Sequence, residues 1–357
     1  MSFNVEKRNQ IKNNIINLIG EGMNCIEMPV RFNAAKFAQE HNLSVQTIYR
    51  YLDQLQKDGV IIKSGAEKSA SYKLRSESQL FYVNLSEKPA EDVIWANKIQ
   101  PLLKNVPQNA YQICNYAFTE LLNNAIEHSE GTRVDINVVI NAKIIKILIH
   151  DNGVGIFSKI ADALKLEEKR FAILELAKGK FTTDPDSHTG EGIFFSSKVT
   201  DFFWIYSDGM IYSPLDLPEN NIDSMLIDSY DAKKIDGTVV FFIVRKDSKL
   251  TVKEVFNSYS GIENDYGFNK TMVPVILLEY GNDSALYISR SQAKRLMLRF
   301  EKFKNIVLDF SGIKEIGQGF ADEIFRVFAQ QHPDCIVTAH NCSQQVQSMI
   351  NRIKNAL

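Results

Sequence analysis

The spacing of apolar positions changes several times along the chain, and each change marks a different element. "EKRNQIKNNIINLIG" reads as a first helix and "NAAKFAQEHN" as a second, with Asn33 as its N-cap. "LSVQTIYRYLDQLQKDG" reads as a third helix, capped by Ser44 and closed by Gly59. "VIIKSGAEKSASYKLR" then alternates like two short strands around a polar turn. Further on, "YQICNYAFTELLNNAIEHSE" is helical. Its Glu120, Asn124 and His128 recur every four residues on one face, with Leu121, Leu122, Ala125 and Ile126 mostly on the other. Two adjacent asparagines are poor helix formers for a merely solvated face, so this row also reads as a set of ligands.

The stretches "RVDINVVI" and "KIIKILIHD" predict a hairpin, and "FFWIYSDG", "SMLIDSY" and "GTVVFFIVRK" predict strands. Nearer the end, "MVPVILLEY", "ALYIS", "NIVLDF" and "CIVTAH" read as strands. "RSQAKRLMLRFEKF", "QGFADEIFRVFAQQ" and "SQQVQSMINRIKN" read as amphipathic helices. Polar stretches divide the chain into residues 1–75, a linker 76–92, residues 93–246, a linker 247–270 and residues 271–357. The fold class expected is α/β multidomain. It comprises a helix–helix–helix–hairpin unit, a two-layer α/β sandwich of helices on antiparallel strands, and a small α/β unit.

Composition changes this picture little. Apolar content of 45% and charged content of 24% are ordinary globular values. The four cysteines are scattered, which argues against a zinc ribbon or a disulfide framework. No apolar run approaches a membrane span, and the start carries charge where a signal peptide needs an apolar core, so a cytoplasmic protein is expected. Charge is uneven: up to Arg75 there are eleven Lys or Arg against seven Asp or Glu, about +4, which leaves about −6 for the rest. A basic first unit on an acidic body is compatible with nucleic acid at one end.

The first unit resembles bacterial winged-helix regulators, notably in "SVQTIYRYLDQLQKDGVI". The resemblance implies a third helix entering the DNA major groove, with Gln46, Thr47, Tyr49 and Arg50 reaching the bases and Lys63 and Lys68 touching phosphates. Winged helices also bind proteins, and that alternative stays open at this point.

"TELLNNAIEHSE", "DNGVGIF", "HTGEGIFF" and "DGTVVFF" occur in that order, and together they resemble the four boxes of the Bergerat-fold ATPases, which include gyrase, histidine kinases and the anti-sigma-factor kinases. The resemblance implies Mg-ATP as ligand. Glu120 would position or deprotonate the attacking nucleophile. Asn124 would hold Mg²⁺. Asp151 would accept the adenine amino protons, Gly153 and Gly155 would let the backbone approach closely, and Thr238 would help hold the adenine. Gly190 and Gly192 would offer backbone amides to phosphate at a helix start. Residues between Gly155 and Gly190 would form a lid, with Lys178 and Lys180 reaching phosphates. His128 has no assigned role.

No histidine lies between His41 and Glu120, so an ordinary histidine kinase with a phospho-acceptor helix is not expected. "NIVLDFSGIKEIGQGFADEIFRVF" resembles the central strand, loop and helix of STAS domains. Where antagonists of that family carry an acceptor serine, Gly317, Gln318 and Gly319 stand here, and Ser311 reads as a turn hydrogen-bonder. The expectation is a bacterial ATP-controlled, DNA-binding homodimer that also meets a protein partner. The rivals are a serine/threonine protein kinase acting on a separate partner and an ATP-gated protein scaffold.

Overall fold

In a computed structural model, residues 2–20, 29–66, 69–181, 190–214, 235–260, 268–279 and 286–355 are described. The expected strand "SMLIDSY" and the expected phosphate contact Lys68 lie outside them.

The first unit has α1 (Ser2–Ile19), α2 (Ala34–Glu40), α3 (Val45–Lys57) and an antiparallel pair, β1 (Ile61–Ser64) with β2 (Ser71–Leu74). Asn33 and Ser44 are the N-caps, their side chains accepting from the amides of Lys36 and Thr47. Ile15, Phe37, Ile48, Leu52 and Ile61 close a core that belongs to this unit alone. Its described link to the next unit is slender: Gly20, after α1, lies against the Lys143 side chain.

The middle unit is a six-stranded sheet. Its strands are β3 (Glu77–Asn84), β4 (Arg133–Ile140), β5 (Ile144–Asp151), β6 (Phe202–Ser207), β7 (Met210–Tyr212) and β8 (Thr238–Arg245). Their order is β3-β4-β5-β8-β6-β7, and every pairing is antiparallel. A short α4 (Glu91–Ile94) precedes α5 (Gln108–His128); then come α6 (Ile156–Leu164), α7 (Phe171–Lys178) and α8 (Gly192–Val199). Period-two alternation points Ile145, Ile147 and Ile149 of β5 and Val240, Phe242 and Val244 of β8 at the helix layer. Trp204, Val239, Phe241 and Ile243 face the other way and are buried too, which is why β8 reads as an unbroken apolar run.

Residues 77–84, expected within a linker, form the edge strand β3, paired along β4. Only Val83 is buried, while Leu80 and Tyr82 are exposed, so the segment reads as polar as a linker does. The second expected linker likewise contains a helix, α9 (Val252–Tyr259), capped by Thr251.

The last unit has a parallel sheet with β10 (Asn305–Asp309) between β9 (Lys270–Pro274) and β11 (Ile336–His340). Around it lie α10 (Arg290–Met297), α11 (Gln318–Asp322), which runs on through the wider turns of Glu323–Phe328, and α12 (Gln344–Lys354). Three expectations change here. "MVPVILLEY" is a strand only to Pro274, and Val275–Glu279 coils into a 3-10 turn that buries Val275 and Leu278. "ALYIS" makes no described strand, only a bridge from Tyr287 to Ile316. The helix of "RSQAKRLMLRFEKF" stops at Met297, because Leu298 is extended and Arg299 left-handed. Middle and last units share one continuous core. No helix among the described residues is long and apolar enough to cross a membrane.

Candidate functional site

One cavity lies where the helix layer meets the ends of β5 and β8. The inner face of α5 is apolar, with Phe118 and Leu122 fully buried. The adjoining face brings Glu120, Asn123, Asn124 and His128 to the cavity wall. At 1.5 Å per residue, the row from Glu120 to His128 spans about 12 Å. The Asn124 amide nitrogen donates one hydrogen to the Glu120 carbonyl at 2.8 Å, which leaves its oxygen and its second N–H outside that bond. Burial, with the Glu120 and Glu191 carboxylates nearby, pushes the Tyr116 phenol up from its ordinary value.

The opposite wall starts at the C-terminal end of β5. Register pairs Asp151 with Thr238, so the two strands deliver them together. Asp151 Oδ1 accepts from the amides of Gly153 at 2.9 Å and Thr238 at 3.3 Å. Burial pushes the Asp151 carboxyl above the usual range, and the backbone bonds only partly offset it.

Two helices begin at the cavity, and their ends differ. The first amides of α6 are already taken: Ile156 N donates to Thr238 Oγ1 at 3.0 Å, and Ser158 N to Asp208 Oδ2 at 3.0 Å. The start of α8 has no side-chain cap at Glu191. Gly192 there packs directly on the Glu120 side chain, so a β-carbon would collide with the carboxylate. The acid of the first motif therefore stands at the positive end of the helix that opens the third.

Glu120, Asn124, Asp151, Gly155, Gly190, Gly192 and Thr238 all line this one cavity. Gly153 is just behind the wall, its amide tying back Asp151. Lys178 and Lys180 do not line it. Lys178 is fully buried and donates to Glu175 Oε1 at 2.5 Å and to the Leu298 carbonyl at 2.7 Å. Burial pushes its ammonium below the ordinary value, against the opposing pull of Glu175. Lys180 donates to the Lys302 carbonyl at 3.1 Å and lies over the rings of Phe268 and Phe303. Both lysines face the last unit, Lys178 over the buried Phe300 ring and Lys180 over the buried Phe268 and Phe303 rings, contacts that a solvent-facing lid would not offer.

Two residues missed from sequence belong to the wall. Asn123 joins Asn124 there. Among the described lining residues Lys159 is the lone Lys or Arg, donating to the His128 carbonyl at 2.6 Å and to Glu130 at 3.0 Å. Its place in "IFSKIADAL" one turn after "DNGVG" was the available signal.

In the first unit, Gln46, Tyr49, Arg50 and Lys63 are exposed. Thr47 is half-buried, and its hydroxyl shares a 2.8 Å hydrogen bond with that of Ser44. In the last unit, Asp309 Oδ1 accepts from Ser311 N at 2.9 Å and Ser311 Oγ at 2.7 Å, the turn geometry expected of this serine.

A family model described as a STAS-like domain of unknown function (DUF4325) matches residues 292–347. The last unit is thus a STAS-like domain. No curated protein matches the chain.

Proposed function

We propose that the chain is an ATP-binding, DNA-binding regulator in which the middle unit is a Bergerat-type ATPase domain and the first a winged helix-turn-helix. Nucleotide in the cavity changes how the first unit, the STAS-like domain or a second copy of the chain is engaged. The observation that carries the nucleotide half is the convergence of four separated stretches on one cavity, through Glu120 and Asn124, Asp151 and Gly155, Gly190 and Gly192, and Thr238.

The donor set fits the ligand. Asp151 is a buried acceptor at the apolar end, beside Ile149, Val154 and Val240, suited to an exocyclic amino group. Glu120 and Asn124 stand at the α8 end, where helix amides favour an anion. The described wall carries Glu120, Asp151 and Glu191 against Lys159, so a bare triphosphate would meet net negative charge. Among the described residues no three His, Cys, Asp or Glu side chains converge on a metal. A Mg²⁺ here would take its protein oxygen from Asn124 and the rest from phosphate and water. When bound, it neutralises phosphate charge, and Glu120 orients the attacking hydroxyl or water.

The DNA half is supported by the exposed row Gln46, Tyr49 and Arg50 on α3 and by the basic balance of residues 1–75. The test is Mg-ATP binding by the full chain in equilibrium dialysis, with DNA mobility shifts run with and without the nucleotide. Asn124→Ala should abolish Mg-ATP binding, Glu120→Ala should keep binding and stop turnover, and Arg50→Ala should weaken DNA binding. A wild-type chain that binds no Mg-ATP overturns the reading. The STAS-like domain favours one second reading, a protein kinase for a separate partner. No hydroxyl stands among Gly317, Gln318 and Gly319, so γ-phosphate label on another protein, not on this chain, would mark it.

A further inference from the structure

The STAS-like domain meets the cavity wall through several groups, and Arg299 is the one that brings a buried charge to it. Arg299 follows α10 in a left-handed conformation, φ +64°, which turns it toward the middle unit. Its Nη1 donates to Glu175 Oε2 at 2.9 Å and its Nη2 to the Lys180 carbonyl at 2.7 Å. The guanidinium carbon is 5.4 Å from the centre of the Phe181 ring. The side chains of Arg299 and Glu175 are 11% and 2% exposed, so solvent and salt screen this contact weakly. One residue earlier, the Leu298 carbonyl accepts from Lys178 Nζ at 2.7 Å, a second tie at the same point.

What Arg299 holds is part of the cavity. Gly179 and Phe181 line it. Gly190, φ +69°, packs so tightly on the Phe181 backbone that a β-carbon there would collide with it. Two residues on, Gly192 abuts Glu120. A shift at Lys180 is therefore passed by close packing, backbone on backbone at Phe181 and Gly190, toward the Glu120 side chain at Gly192.

The geometry points to Arg299 as a positioning residue of the nucleotide site: through its guanidinium the STAS-like domain fixes the 179–181 wall, and with it Gly190, Gly192 and Glu120. For its ligand this rests on the nucleotide reading above. A guanidinium suits the task because its planar fork serves a carboxylate and a carbonyl at once, whereas an ammonium is a flexible point charge.

The test uses the full-length chain as wild type, Arg299→Lys and Arg299→Gln. Mg-ATP affinity is measured by equilibrium dialysis, and amide hydrogen exchange is followed without nucleotide over residues 176–181 and, as a reference, 336–340. The Gln variant should bind Mg-ATP about fivefold or more weakly, the range of ordinary coupling between sites, with the Lys variant in between. Exchange should quicken at 176–181 in the same order and stay at the wild-type rate at 336–340. Affinity within about twofold of wild type in both variants, or unchanged exchange at 176–181, overturns the inference. Quickening at 336–340 as well overturns it too, by showing a merely structural role. A wild-type chain without Mg-ATP binding sinks the nucleotide reading instead, and the exchange measurement still decides whether Arg299 holds the wall.

Discussion

The two ends of the chain are joined to the middle in opposite ways. The N-terminal helices and hairpin close their own core, and Gly20 meets Lys143 at a thin contact. The STAS-like domain has no separate core: Phe194 of α8 meets Phe268 at 4.4 Å between ring centres, and Phe268 meets Phe303 at 5.3 Å. A buried ion cluster, Lys178–Glu175–Arg299, lies along the same seam. Breaks in sequence polarity on either side of the middle unit look alike, yet one separates two cores and the other runs through a single one. Polarity along a chain reports where loops run, not which apolar surfaces meet.

The largest expected effect tests the shared core. Phe268→Ala removes a 4% exposed ring at its centre and should cost about 3–5 kcal/mol in urea unfolding. The middle and last units should lose that stability in one transition; two separated transitions would break the comparison. Leu52→Ala, 2% exposed in the N-terminal core, should cost about 2–5 kcal/mol. That loss should be confined to the first unit, leaving Mg-ATP affinity at the wild-type value. An affinity that falls with it would show a coupling the thin contact does not provide.

A smaller effect is expected from acid. Asp151 accepts from an amino donor more strongly when ionised, and burial raises its pKa. As pH falls it therefore protonates earlier than an ordinary carboxyl, and Mg-ATP affinity should decline before other carboxylates titrate. In Asp151→Asn this early decline should be absent, on an affinity already weakened. The sign for stability is opposite: a raised carboxyl contributes most when protonated, and that contribution is lost as pH rises through its folded value. The smallest effect is Ser44→Ala, which removes the α3 cap bond at 3.2 Å and should cost about 1 kcal/mol in the first unit alone.

Much of the site was legible because its residues answer to local rules. Helical spacing put Glu120 and Asn124 on one face, and a strand end placed Asp151. What failed depended on distant partners. Lys178 and Lys180 sit beside a glycine at a helix end, which locally suggests a flexible cationic loop. Their direction is set by Glu175, Leu298 and Lys302, two of them more than a hundred residues away. The edge strand β3 escaped because only one of its faces, and few residues on it, are buried. Asn123 was passed over because the fourfold spacing singles out its neighbour, whereas the cavity is wide enough to touch both.

β5 runs without a break from the turn that Gly20 touches to Asp151 at the cavity. Eight residues of strand extend roughly 23 Å, close to three screening lengths at physiological salt. Over that distance the charge of a ligand at one end acts only weakly at the other end where solvent lies between. Among the described residues, a ligand at Asp151 can be felt at the Gly20–Lys143 contact as displacement along β5.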